Sequence, residues 1–256
     1  MARFSQPSFL RDVPQPLVLT VEGRSTDAFE LYRRIASPLH PSFLLESGHA
    51  GGSRQHYSFL GCDPAMVLTG HDRQAWYRTP EGTATWQDPF ARLVELMTPA
   101  PMARTEHLPP FIGGAVGYLS YDLVRQFQTL PSIAKPDVGL PDLQFALFEV
   151  VVAMDHQTNC VHLIYCPSNV RFQGEPREKL YREGLDRLAA LEARLTAPPA
   201  PYSDTLGIPQ VSFGPEQTTL DYIQRVRRCQ EYIAAGDIYQ ANLSHRFTVE
   251  LKETPR

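Results

Sequence analysis

The sequence predicts an α+β fold with antiparallel sheet, and three observations lead to this prediction. Short β-rich segments bounded by turns lie close together in the chain, notably over residues 43–69. A long β-rich run at 143–154 is followed by a turn at 155–159 and a returning segment at 160–166, which predicts a hairpin. Helical patterns interrupt the strands at irregular intervals, so a parallel sheet built from βαβ units is not expected.

The composition is that of an ordinary globular protein. Hydrophobic residues make up 43% and charged residues 20% of the 256 residues, and the formal charge is −4. This charge provides no electrostatic basis for binding nucleic acid or an anionic membrane. No apolar run approaches the roughly 20 residues of a membrane span, and residues 1–7 lack the apolar core of a secretory signal. We therefore expect a cytoplasmic protein that binds neither nucleic acid nor membrane.

Amphipathic spacing predicts four helices, and start signals place the first two. Ser25 or Thr26 is expected to cap the first helix. Pro89 directly after Asp88 marks the start of the second, because proline at the first helical position loses no hydrogen bond. The apolar faces of these two helices carry Phe29, Tyr32, Ile35, Phe90, Leu93, Val94 and Met97.

The third and fourth helices are predicted at 176–196 and from about Thr218 onward. Asp221 completes a capping box with Thr218, and Gly236 is placed to end the last helix in a left-handed conformation. The apolar faces carry Tyr181, Leu185, Leu188, Leu191 and Leu195 in the third helix, and Tyr222, Val226, Cys229 and Ile233 in the fourth.

Strands are predicted in six places besides the hairpin. Short strands are expected at 17–21, 43–46, 57–60 and 66–69. Residues 111–122 are rich in glycine but lack a phosphate-loop pattern, so their glycines indicate a bulge or close backbone approach within a strand. Residues 239–251 alternate apolar and polar side chains with period 2, which predicts a strand with one polar face.

Two groups of polar residues are candidates for ligand binding. Glu46 and Ser47 end an apolar strand, where a carboxylate and a hydroxyl can receive an amino acid; taken alone, the segment is better explained by a simple turn. Arg54, His56 and Tyr57 follow a glycine-rich loop and suit an anionic or amphipathic ligand; a solvated loop is the alternative.

A third group is the polar row of the last predicted strand. Gln240, Asn242 and Ser244, with Arg246, would share one face and could line a polar cleft. A solvent-exposed sheet face accounts for the same pattern.

A proline-rich stretch divides the chain. Prolines 198, 199, 201, 209 and 215 lie in a region without apolar periodicity. We therefore predict a domain at 1–197, a linker at 198–215 and the start of a second domain at 216–256.

Four segments occur in an order that is specific to one family. They are Leu44-Leu45-Glu46-Ser47, Tyr57-Ser58-Phe59-Leu60-Gly61, Gly113-Gly114-Ala115-Val116-Gly117-Tyr118 and Gly236-Asp237-Ile238-Tyr239-Gln240. Over residues 43–247 the chain resembles component I of the anthranilate synthase and aminodeoxychorismate synthase family of chorismate-utilising enzymes. The resemblance implies an antiparallel β-sandwich-like N-terminal domain with flanking helices, followed by the first helix and strand of a truncated chorismate-binding domain.

The last motif indicates a branch of that family. Anthranilate synthases tend to read GDIFQVVLSQRF and aminodeoxychorismate synthases GDIYQVNLSQRF. Tyr239 and Asn242 favour the second pattern, whereas Ala241 and His245 depart from both. The implied reaction converts chorismate and ammonia to 4-amino-4-deoxychorismate in 4-aminobenzoate and folate biosynthesis, with ammonia delivered by a glutamine amidotransferase subunit.

The resemblance also implies how cofactor and effector are bound. The carboxylates that hold Mg²⁺ and the lysine of the P-I-K-G-T motif lie beyond the last motif, so we assign no catalytic or metal-binding residue here. This chain alone is expected to be inactive and to bind no Mg²⁺. Tryptophan, as effector or structural ligand, is expected against Glu46 and Ser47, with Arg54, His56 and Tyr57 nearby, and Gln240, Asn242 and Ser244 are expected to line the substrate cleft.

Two other functions agree with the same residues. One is anthranilate synthase component I, which acts in tryptophan biosynthesis and differs in its product. The other is a non-catalytic module that binds a ligand or docks onto another subunit.

Overall fold

A computed structural model describes most of the chain, in two compact units, residues 1–200 and 201–256. The described residues are 3–4, 8–11, 14–22, 27–37, 39–46, 56–80, 82–103, 108–131, 138–197 and 214–249. Most of the linker predicted at 198–215 lies outside them, and the domain boundaries stay a prediction.

Thirteen strands, five α-helices and one 3₁₀ helix make up the described elements. The strands are β1 (Arg3–Phe4), β2 (Leu17–Glu22), β3 (Phe43–Leu45), β4 (Tyr57–Gly61), β5 (Met66–His71), β6 (Gln74–Thr79), β7 (Gly82–Gln87), β8 (Gly114–Leu119), β9 (Leu143–Phe148), β10 (Val150–Asp155), β11 (Cys160–Tyr165), β12 (Gly214–Pro215) and β13 (Phe247–Thr248). The helices are α1 (Ala28–Ile35), α2 (Pro89–Leu96), the 3₁₀ helix Tyr121–Gln126, α3 (Asn169–Gly174), α4 (Arg177–Thr196) and α5 (Thr219–Ala235).

The first unit contains two antiparallel sheets, which confirms the predicted fold class. A six-stranded sheet has the order β1-β2-β11-β10-β4-β3, and a five-stranded sheet has the order β7-β6-β5-β9-β8. The predicted hairpin is formed by β10 and β11 at the centre of the larger sheet. Strands β6 and β7 were not predicted, because only Ala75 of their residues is buried and their apolar pattern is weak.

Helices α1 and α4 cover one face of the six-stranded sheet. In α4, predicted at 176–196, the buried residues are Leu180, Gly184, Leu188, Leu191 and Leu195. Gly184 allows this helix to approach the sheet closely, since a methyl group there would overlap the ring of Tyr165. The absence of a side chain at this position therefore determines how closely α4 packs against the sheet.

The predicted start and face of α1 need correction. Asp27, and not Ser25 or Thr26, caps the helix by accepting a hydrogen bond from the backbone N–H of Phe29 at 3.3 Å. Aspartate is as effective as serine at this position. Ile35 is buried as predicted, but Phe29 is 49% exposed because the inward stripe consists of Ala28, Leu31 and Ile35.

Helix α2 covers one face of the five-stranded sheet and starts as predicted. The side chain of Asp88 accepts a hydrogen bond from the backbone N–H of Ala91 at 3.0 Å. The buried residues are Pro89, Leu93 and Leu96, whereas Val94 and Met97 of the predicted stripe are exposed. The stripe is displaced because the buried proline at the helix start determines which side faces the sheet.

The run 143–154 is two strands in different sheets and not the single strand predicted. Glu149 separates β9 from β10 and is only 2% exposed. Its carboxylate accepts hydrogen bonds from the Ser168 backbone at 2.9 Å, from Arg171 at 2.8 Å and from Arg187 at 3.0 Å. A buried carboxylate needs such partners, and β-propensity does not reveal them.

Side chains from both sheets contribute to one apolar cluster. It contains Phe43, Ala146, Phe148 and Val151, with Phe59, Val67, Phe111 and Val116 against them. A methyl group at Gly117 of β8 would overlap the carbonyl oxygen of Gln144, so the predicted close backbone approach is confirmed. The more specific description as a β-sandwich stays a prediction.

The second unit is dominated by α5, whose ends are as predicted. The Thr218 hydroxyl accepts a hydrogen bond from the Asp221 backbone at 3.2 Å, and Gly236 ends the helix with φ +81°. No residue of α5 is buried, so the prediction that it buries Tyr222, Val226, Cys229 and Ile233 is wrong. The other regular elements described in this unit are two strands of two residues each, which are too short to cover the helix.

Candidate ligand-binding site

Strands β3 and β4 place part of the predicted site at one end of the six-stranded sheet. Leu45, the last residue of β3, pairs with Phe59, and the exposed Glu46 follows directly. His56 immediately precedes β4, and Tyr57 is its first residue. The antiparallel register therefore brings the end of β3 to the start of β4. Ser47 and Arg54 lie outside the described residues, so their predicted part stays a prediction.

An aromatic row leads from this end of the sheet into the apolar cluster. The rings of His56 and Tyr57 have centroids 4.3 Å apart, and those of Tyr57 and Phe59 are stacked at 5.8 Å. Phe111 meets Phe59 edge to face at 5.7 Å. The row begins with a polar edge of imidazole and phenol and continues into a hydrophobic interior.

Asp155 lies beside this polar edge, on the neighbouring strand β10. The sequence predicted only that it belongs to a hairpin turn. It pairs directly with Tyr57 across β10 and β4, and it is 5% exposed. Its Oδ1 accepts hydrogen bonds from the backbone of Gln157 at 2.8 Å and of Thr158 at 3.3 Å. Although burial opposes the charged form, these hydrogen bonds and the nearby His56 keep the pKa of Asp155 below its usual range.

The charge of Asp155 acts on its neighbours on the same face of the sheet. Burial raises the pKa of Tyr57, and the charge and hydrogen bonding of Asp155 raise it further. Burial lowers the pKa of His162, and Asp155 partly opposes this by favouring the imidazolium. His162 Nδ1 also lies 2.9 Å from the hydroxyl of Thr20 on β2.

His156, in the turn after β10, ties the hairpin to the start of β4. Its backbone N–H donates to the carbonyl of His56 at 2.8 Å. Its ring Nε2 lies 2.7 Å from the hydroxyl of Ser58, which is buried. The position of the His56–Tyr57 edge is therefore set by the 155–159 turn, which is distant in sequence.

This end of the sheet presents polar groups that can bind a ligand. It offers an exposed carboxylate at Glu46, an imidazole at His56 and a phenol at Tyr57 beside an apolar aromatic row. These groups can recognise a small molecule that carries a cationic group and an aromatic ring. Within the described residues, no group of three or more His, Cys, Asp or Glu side chains is arranged to hold a metal ion.

The predicted cleft residues lie in the second unit and do not share a strand face. Residues 239–246 have no strand conformation, and pairing is limited to Phe247 and Thr248, which face Gly214 and Pro215. The prediction of a strand at 239–251 is therefore wrong for these residues: the Arg246 carbonyl still accepts a hydrogen bond from the Glu216 backbone at 3.1 Å, but the described ladder does not extend toward Tyr239. Gln240, Asn242 and Ser244 are all exposed, and the amide of Gln240 lies 3.5 Å from Asn242 Oδ1.

Comparison with known proteins identifies the class to which this fold belongs. Residues 40–256 match the model of the chorismate binding enzyme family, and the chain is therefore a member of that family. A solved structure of anthranilate synthase component I from Streptococcus pneumoniae matches with a TM-score of 0.59 and 22% identity, covering 92% of this chain and 49% of that one. That similarity concerns the fold.

The curated relatives carry two different names. The chain is 35% identical over 232 residues to anthranilate synthase component 1 of Thermus thermophilus, covering 88% of this chain and 45% of the relative. It is 31% identical over 245 residues to the protein of that name from Mycolicibacterium smegmatis, covering 94% and 46%. It is 30% identical over 234 residues to aminodeoxychorismate synthase component 1 of Escherichia coli, covering 91% and 47%. The chain thus spans about half the length of these relatives.

Among the helices that the structure describes, none combines the length and the apolar character that a bilayer span requires.

Proposed function

We propose that this chain forms the N-terminal part of an aminodeoxychorismate synthase component I, which converts chorismate and ammonia to 4-amino-4-deoxychorismate for 4-aminobenzoate and folate synthesis. The observation that carries the choice of product is the segment after Gly236, where Tyr239 and Asn242 match the aminodeoxychorismate pattern. Membership of the chorismate binding enzyme family supports the substrate. The coverage of about half of each relative supports the view that further sequence is needed for turnover.

In this proposal the chain acts together with other components. A glutamine amidotransferase subunit delivers ammonia, and Mg²⁺ is held by carboxylates outside this chain, where it acts as a Lewis acid on chorismate. The name "component 1" of the relatives agrees with a second subunit.

The first unit contributes an effector site in the same proposal. Tryptophan binds at the end of β3 and the start of β4, where Glu46, His56 and Tyr57 lie. Ser47 and Arg54 belong to the same proposed site through the family resemblance. The aromatic row from Tyr57 to Phe59 and Phe111 supports an indole as the ligand, because stacked and edge-to-face contacts favour a further ring. The exposed carboxylate of Glu46 supports recognition of an ammonium group.

Anthranilate synthase component I is the second candidate. The 35% identity to the Thermus thermophilus protein exceeds the 30% identity to the Escherichia coli aminodeoxychorismate synthase component, and this observation favours it. The two candidates share chorismate and ammonia as substrates and differ only in product.

A product assay distinguishes these candidates. The 256-residue chain, alone and joined to the sequence encoded downstream of it, is incubated with chorismate, ammonium and Mg²⁺, and the products are identified by mass spectrometry. We expect no turnover by the chain alone and 4-amino-4-deoxychorismate from the joined form. Anthranilate would establish the second candidate, and no product from either form would favour a non-catalytic module.

A further inference from the structure

Asp155 is buried, ionised and adjacent to the two described aromatic residues of the effector site, yet it belongs to a different hairpin. It pairs with Tyr57 across the sheet, and Tyr57 is next to His56. Residues that pair directly share one face of a sheet, as do residues two apart on a strand. Tyr57, Asp155 and His162, which pairs with Ala153, therefore all lie on the face opposite to the helices.

We infer that Asp155 is a positioning residue for the amino-acid site: its carboxylate orients the phenol of Tyr57 and the imidazole of His56 toward the ligand. This inference rests on the proposed effector site and adds to it a residue that does not itself contact the ligand. Asp155 and Tyr57 face each other in the register of β10 and β4, the Tyr57 ring stacks on Phe59, and the Asp155 carboxylate contributes to the raised pKa of Tyr57.

The turn provides the rigidity that such a role requires. One carboxylate oxygen of Asp155 already accepts two backbone hydrogen bonds, from Gln157 and Thr158. The backbone of His156 is bonded to the carbonyl of His56 at 2.8 Å. Both the carboxylate and the edge that it orients are thus fixed to the same turn, and little conformational freedom remains to be lost when a ligand binds.

The test variant is Asp155→Asn, which retains an oxygen acceptor for the turn and removes the charge. Asp142→Asn is the matched control, because Asp142 also accepts a turn N–H, from Asp72 at 2.6 Å, but lies beside the other sheet. Calorimetry with L-tryptophan on the 256-residue chain is expected to show roughly tenfold weaker binding for Asp155→Asn, the usual size of a lost charged hydrogen bond. Asp142→Asn should bind as the wild type does, and equal affinity of wild type and Asp155→Asn would overturn the inference.

A double-mutant cycle tests whether Asp155 acts through Tyr57. In a Tyr57→Phe background the Asp155→Asn substitution should have little further effect on tryptophan affinity, because the hydroxyl that it orients is gone. Additive losses would show that Asp155 acts independently of Tyr57 and would overturn the positioning role.

Titration of the unliganded protein distinguishes a failure of this inference from a failure of the proposed function. If the wild-type chain does not bind tryptophan, the effector site is wrong, and titration of the apo protein then decides the role of Asp155. In Asp155→Asn the pKa values of Tyr57 and His162 should both fall, since the carboxylate raises both. Unchanged titrations, followed by absorbance for tyrosine and NMR for histidine, would overturn it.

Discussion

Helices α4 and α5 have similar lengths and similar spacing of apolar residues, but they lie in different environments. They have 20 and 17 residues, and apolar side chains recur at helical spacing in both. Helix α4 buries five residues against the sheet of the first unit, whereas α5 buries none. An amphipathic pattern therefore does not establish burial by itself, because a neighbouring element of sufficient size decides whether burial occurs and, as in α1 and α2, which positions are buried.

The ionic contacts of the two helices differ in the same way. Arg187 of α4 and Arg171 reach the carboxylate of Glu149, which is 2% exposed. In α5, Arg228 pairs with Glu231 at 2.8 Å, and both side chains are more than 60% exposed. Solvent screens the second pair, so its contribution to stability is small.

The largest effect is expected when one apolar side chain is truncated in each helix. Leu188→Ala in α4 should lower the free energy of unfolding by about 2–5 kcal/mol, because Leu188 is fully buried. Ile233→Ala in α5, at a position 44% exposed, should change it by less than about 0.5 kcal/mol. Denaturation is followed by far-ultraviolet circular dichroism, which reports on the helices of both units, and by fluorescence, which reports on the first unit because Trp76 and Trp86 lie in β6 and β7. Equal effects would contradict the contrast between the helices.

The ionic contacts allow a second, smaller test. Glu149→Ala should cost about 2 kcal/mol, since it leaves Arg187 and the Ser168 backbone without their buried acceptor. Arg171 keeps Glu175 and Glu183, which limits the loss. Glu231→Ala is the matched control and should cost little, because solvent screens its pair with Arg228. Urea titration measures both, and a control as damaging as Glu149→Ala would refute the distinction.

The smallest expected effect is a pH dependence confined to the first unit. Burial lowers the pKa of His162 from 6.5, so the unfolded chain binds a proton before the folded chain does. Stability present above pH 6.5 is therefore lost as the pH falls toward the lowered pKa. We expect His162→Gln to lose less stability than wild type as the pH falls below 6.5, whereas the exposed His40→Gln should behave like wild type. Thermal unfolding across this pH range measures the difference, and parallel curves for all three proteins would exclude His162 as its source.

Prediction of the fold succeeded where the determining interactions are local. The caps at Asp88 and Thr218, the left-handed Gly236 and the hairpin of β10 and β11 depend on residues a few positions apart. The order of four short motifs was likewise enough to predict the family that the comparison confirmed. Residue types and their spacing contain this information directly.

Prediction of the site was less complete because its contacts are long-range. Glu46, His56 and Tyr57 could be proposed from motifs, but Asp155, about 100 positions from Tyr57, could not be placed beside them. Their roles in ligand binding, and those of Gln240, Asn242 and Ser244, stay predictions.

The sequence by itself determined the start of α2, the bounds of α4 and α5, the antiparallel hairpin and the family. Only the tertiary structure decided that Glu149 divides one β-rich run between two sheets and that Asp155 lies under Tyr57. It also decided that α4 is covered while α5 is not. The physical reason is that hydrogen bonds and turns are selected by neighbouring residues, whereas burial and charge pairing depend on segments that meet only after the chain has folded.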